Sequence, residues 1–154
     1  AKLDKNICQY TKSGSGPSKL VPTGEIVIGI GFLHDVVYQI VNNGYTNIGM
    51  TSPSSGTSYE IGATAIFKGA KNLDNAKKFI EFALSPDCVN LAQDNGSYQF
   101  LVIDNAKPVE VAIKNGLDKI ETMVYNFDDA KTNGPKYYAE FFEVISKDDR
   151  VKTK

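Results

Sequence analysis

Histidine is nearly missing from this 154-residue chain: His34 stands alone, tryptophan is absent, and cysteine occurs twice. A single imidazole excludes metal clusters and proton shuttles that need two histidines. Cys8 and Cys88 are too far apart for a C-x-x-C metal pair, and two cysteines make no disulfide framework. Charge of one sign is lacking as well. Seventeen basic against eighteen acidic side chains leave a net charge of -1, so no positive field draws nucleic acid or an anionic membrane. The longest apolar runs, Glu25 to Leu33 and Ile61 to Phe67, fall short of the roughly 18 to 20 residues that span a bilayer. There is no P-loop, no G-x-S-x-G elbow and no H-E-x-x-H helix. The chain is therefore not expected to be an enzyme, and neither a cofactor nor a metal is expected. No secretory hydrophobic segment follows Ala1, so any export signal is expected upstream of it.

What is present is the composition of a globular protein, 42% hydrophobic and 23% charged. Leu3, Ile7 and Tyr10 have helical spacing and precede the Ser13-Gly14-Ser15-Gly16-Pro17-Ser18 loop, with Pro17 suited to the first turn of a short helix. Glu25 to Phe32 (EIVIGIGF) reads as a strand buried on both faces, which implies a parallel sheet. Asp35 to Asn43 then places Val36, Val37, Ile40 and Val41 on one helical stripe ending at Asn43-Gly44. Asn47 to Met50 and Ile61 to Phe67 read as further strands, and residues 98 to 103 as another short strand or extended piece. Between them lie a helix with Ala76, Phe79, Ile80, Ala83 and Leu84 on one face, and a helix capped by Ser85 with Pro86 at its first position. From Val111 onward the pattern is helical, with a break expected at Asn133-Gly134-Pro135. The fold class expected is α/β, a mostly parallel sheet flanked by helices.

Candidate functional residues follow from position. His34 and Asp35 come directly after the apolar run, where α/β sheets present ligand-binding groups at strand carboxyl ends. Gly29 to Phe32 lacks the third glycine and the acidic ribose partner of a dinucleotide site. The Ser13 to Ser18 loop has the composition of an anion cradle, and Glu60 is a charge at the edge of an apolar stretch. The pairs Asp128-Asp129 and Asp148-Asp149 lie in polar stretches and read as solvated surface.

Two stretches, SGSGPSKLVPTGEIVIGIGFLHD (13 to 35) and PSSGTSYEIGATAIFKGAKNLDNAKKFIEFALSPD (53 to 87), resemble the iron(III)/sugar-phosphate group of type 2 periplasmic binding proteins, the substrate-binding subunits of ABC importers. The resemblance implies the later half of a two-lobed clamshell, a periplasmic-binding-protein-like lobe incomplete by itself. Residues 1 to 56 would belong to the C-terminal lobe, 57 to 109 would cross to the other lobe, and 110 to 154 would return as helices. It also implies an anionic solute bound between lobes, an ABC permease as partner, and a periplasmic or extracellular, membrane-associated location, and it leaves a lipid anchor open. The GFLHD wording looks like members that bind hexose phosphates. Carried over, it picks out His34, Asp35 and Glu60, and with Ser13, Ser15, Gly16 and Ser18 of the loop and Thr57 these make up the expected ligand site. A ferric-binding branch uses adjacent tyrosines, and the one such pair here, Tyr137-Tyr138, falls in the C-terminal helical region, so a polyol phosphate is favoured over ferric ion. A lobe lacking half its cleft is expected to self-associate or swap an element, and a self-associating interaction domain is the reading of another class.

Overall fold

A computed structural model describes residues 2 to 146. The chain divides into two units, one made of residues 2 to 32 with 124 to 146, the other of Leu33 to Met123.

The expected parallel sheet is not there. Among the described residues there are helices and irregular segments but no strand, and an isolated parallel bridge joins Thr57 and Thr122. The reason is visible at Glu25 to Phe32. A strand exists through hydrogen bonds to a neighbour about 4.8 Å away, whereas this run folds back along helix α1 (Gly16–Leu20). The Glu25 N–H donates to the Leu20 carbonyl at 3.1 Å. A Cβ on Gly29 would lie 3.0 Å from Pro17 and 3.1 Å from Val21, so glycine is what allows the approach. The side chains expected inside a sheet are exposed instead: Val27 by 92% and Ile28 by 81%. The stretches 47 to 50, 61 to 67 and 98 to 103 are likewise not strands.

Several helices form where caps and spacing place them. Pro17 sits in the first turn of α1. Helix α2 (Leu33–Val41) starts two residues before the expected Asp35, so His34 and Asp35 lie inside its first turn. It ends with the Tyr45 N–H donating to the Gln39 carbonyl at 3.2 Å, around Gly44 at φ 72°. Helix α3 (Leu73–Ala83) carries the anticipated Ala76, Phe79, Ile80, Ala83 face, although Asn72 makes no side-chain cap. Helix α4 (Pro86–Val89) is capped as anticipated, with the Cys88 N–H donating to Ser85 Oγ at 3.4 Å. Short helices α5 (Leu91–Asp94) and α6 (Glu110–Lys114) follow. The expected N-terminal helix is reduced to a single 3-10 turn, Asp4–Asn6.

Helix α7 (Phe127–Ser146) runs through Pro135, where a break was expected. Proline removes one i to i−4 hydrogen bond, at a cost of about 3 kcal/mol in a helix interior. A polar ladder straddles the position. Asn133 Nδ2 donates to Asp129 Oδ1 at 2.7 Å, and the Tyr137 hydroxyl donates to Asp129 Oδ2 at 3.3 Å. Asp128 is exposed, as expected, and Asp148-Asp149 lie outside the described residues.

The core of the Leu33 to Met123 unit consists of Val37, Tyr98, Val109, Ala112 and Leu117, with Leu33, Met50, Leu101 and Val111 packed against it. Val37 and Ala112 are fully buried, which joins α2 to α6. Two stability tests follow. Val37→Ala should destabilise the chain by about 1 to 3 kcal/mol, through lost burial and a residual cavity. Val27→Ala should stay within about 0.5 kcal/mol, the range of surface changes; chemical denaturation giving equal losses at both would restore the buried strand at 25 to 32.

The Asp129 carboxylate, first by its charge and further by its hydrogen bond, raises the Tyr137 pKa from its ordinary 10.0. A raised pKa means that the pair's contribution is complete below pH 10.0 and disappears as pH climbs through the raised value. In Asp129→Asn the Tyr137 phenol should ionise at lower pH than in the wild type, as read by a carbon NMR titration of the tyrosine rings.

Candidate functional site

The first turn of α2 collects the clearest polar constellation. His34 and Asp35 are both half-buried, and His34 Nε2 lies 3.8 Å from Asp35 Oδ1. The start of a helix presents unpaired N–H groups and the positive end of its dipole, so a carboxylate there is stabilised as a charged acceptor. The third member is Gln99, whose Nε2 lies 3.3 Å from His34 Nε2. Which of the two donates depends on the imidazole tautomer and the amide orientation.

The segment that brings Gln99 there is tied along α2. A Cβ on Gly96 would lie 2.9 Å from Tyr38 Cε2, and Gly96 adopts φ 80°, a region closed to most side chains. Tyr98 is buried, and its hydroxyl donates to Asn42 Oδ1 at 2.6 Å. Anchored at Gly96 and Tyr98, the chain reaches the helix start at the next residue. Sequence reading missed Gln99 because it fell inside a stretch read as a strand, and no local signal marks a contact 65 residues away.

The other expected residues are placed as follows. Thr57 follows Gly56, which is buried at φ 86°. Its N–H donates to the Glu121 carbonyl at 3.0 Å and its carbonyl accepts from the Met123 N–H at 3.0 Å, so its backbone is committed to the bridge. Glu60 is exposed on the irregular stretch beyond it. Ser13, Ser15, Gly16 and Ser18 belong to the other unit and form a self-closed loop. The Gly16 N–H donates to the Ser13 carbonyl at 3.0 Å, buried Ser18 donates through Oγ to the Ser15 carbonyl at 2.9 Å, and the Ser13 and Ser15 hydroxyls are 3.1 Å apart. Two of the groups expected to face an anion are thus engaged within the loop.

A cavity of about 390 Å³ opens between Thr64–Phe67 and α3, lined by Ala70, Ala76, Phe79 and Ile80. No ionisable side chain lines it. Among the described residues, no group of three or more His, Cys, Asp or Glu converges as a metal site, and no helix is long and apolar enough to cross a membrane. Cys8 and Cys88 are both free thiols.

Residues 1–102 match the family model of the bacterial extracellular solute-binding proteins, and the chain belongs to that family. It is 39% identical over 128 residues to an uncharacterized protein of Haemophilus influenzae (strain ATCC 51907 / DSM 11121 / KW20 / Rd). The alignment covers 82% of this chain and 36% of that protein, so the chain spans little more than a third of the relative's length. No solved structure matches.

The anchoring of the Gly96 to Gln99 segment is open to direct test. Tyr98→Phe keeps the ring and removes the hydroxyl that bonds Asn42, and should cost about 0.5 to 1.5 kcal/mol in denaturant unfolding. A loss below about 0.2 kcal/mol would show that the hydrogen bond contributes nothing net.

Proposed function

We propose that this chain is part of the solute-binding subunit of an ABC importer, working outside the cytoplasm and delivering a phosphorylated hexose to a membrane permease without chemical change. The observation that carries the reading is the His34-Asp35 pair in the first turn of α2. Membership of the extracellular solute-binding family supports the transport role. The sugar is favoured by the GFLHD sequence and by the chemistry of the pair.

A carboxylate fixed at a helix start is an acceptor for two sugar hydroxyls, and a charge-assisted bond is about twice as strong as a neutral one. The imidazole beside it serves as donor or acceptor according to tautomer. Glu60, exposed on the irregular stretch beyond Thr57, is a second carboxylate of the expected site, and no contact joins it to the pair. Carboxylates repel phosphate, so these groups read the hydroxyl face of the solute and leave the phosphate to donors elsewhere. The Ser13 to Ser18 loop is no part of that inference, because its Gly16 N–H and Ser18 hydroxyl already bond to its own carbonyls. None of these contacts calls for bond breaking, and a binding role needs neither a nucleophile nor a second base.

Calorimetry on the full-length protein tests the reading with hexose phosphates, free hexoses, inorganic phosphate and ferric ion. A hexose phosphate should bind tightest. Asp35→Ala should weaken it about ten- to a hundredfold, equivalent to the 1.5 to 3 kcal/mol of a charge-assisted hydrogen bond. Tight ferric binding untouched by that substitution would overturn the sugar-phosphate reading.

A further inference from the structure

We propose that Gln99 is a positioning residue for His34: its side-chain amide holds the imidazole in one ring orientation at the solute site. The role assigned to that site rests on the reading above, whereas the Gln99–His34 contact stands on geometry alone.

Three observations converge on it. The 3.3 Å separation joins side chains 65 residues apart, so it is a product of the tertiary fold and not of local sequence. The residue next to Gln99 is anchored, since Tyr98 is 4% exposed and bonded to Asn42 at the end of α2, the helix that carries His34. Gly96 packs against Tyr38 of that helix through a backbone conformation unsuited to other residues. Gln99 is thus registered to α2 at two points before it reaches the ring.

An amide is well suited to this task. It offers two donors and an acceptor, so it satisfies Nε2 whichever tautomer the ring adopts, by presenting –NH₂ to a bare nitrogen or the carbonyl to an N–H. Asp35 Oδ1 stands 3.8 Å from the same Nε2, beyond ordinary hydrogen-bond reach. The amide is therefore the nearer partner, and it leaves the Asp35 oxygens available to solute hydroxyls. Fixing the ring in advance lowers the ordering cost of binding.

The test uses Gln99→Leu, which keeps the approximate volume and removes the amide, and Gln99→Glu, which keeps an acceptor and removes the donors. Nitrogen NMR of the imidazole reports tautomer and hydrogen bonding directly, with His34→Gln identifying the signal. Gln99→Leu should shift the Nε2 resonance of the ligand-free protein and weaken hexose phosphate binding roughly two- to tenfold, the range for one neutral hydrogen bond. Gln99→Glu should lock the ring in the Nε2–H tautomer. Unchanged ring nitrogens in both variants overturn the contact. Altered nitrogens with unchanged affinity overturn its role at the site. If no hexose phosphate binds the wild type, the substrate reading fails, and the nitrogen spectra still decide whether Gln99 holds the ring.

Discussion

The docking of α2 by Val37 is the contact on which the Leu33 to Met123 unit depends. Val37 is fully buried among Tyr98, Val109, Ala112 and Leu117, and Ala112 is the small residue that lets α6 come close. Helices of nine and five residues are too short to be stable in isolation, since nucleation costs more than the few hydrogen bonds return. Their persistence comes from this shared apolar face. The same packing fixes where the first turn of α2 points, and so where His34 and Asp35 stand.

Elements with local signals were legible. Ser85 and Pro86 started a helix because a hydroxyl acceptor and a missing N–H both suit a first turn, and the 3.6-residue spacing of Ala76, Phe79, Ile80 and Ala83 described a real helical face. Gly44 stopped α2 for the steric reason that glycine usually does. Pro135 misled, because the cost of a proline is local whereas the Tyr137 hydroxyl reaches back across it to Asp129, eight residues away, which also accepts from Asn133.

The sheet was misread for a different reason. Apolar runs such as EIVIGIGF say that a segment avoids water, yet a strand is defined by the partner to which its backbone bonds, and that is non-local. Here the glycines of the run settle against Pro17 and Val21, and Val27, Ile28 and Ile30 stay exposed. Periodicity registers side-chain chemistry and carries no information about backbone pairing. Fold class, resting on pairing, was the expectation most open to error.

Of the candidate site, His34 and Asp35 were legible because adjacency in sequence becomes adjacency on one helical turn, whatever the fold around it. Gln99 was not, since nothing in its neighbours marks a contact 65 residues away. The link runs through Tyr98. Tyr98 is buried and Gln99, the next residue, is exposed, so anchoring the Tyr98 ring holds the Gln99 amide at the surface beside α2. The Tyr98 hydroxyl on Asn42 sets how far along the helix that happens. Core packing and site geometry are therefore one constraint: the same buried tyrosine that closes the apolar cluster determines which polar group meets the imidazole.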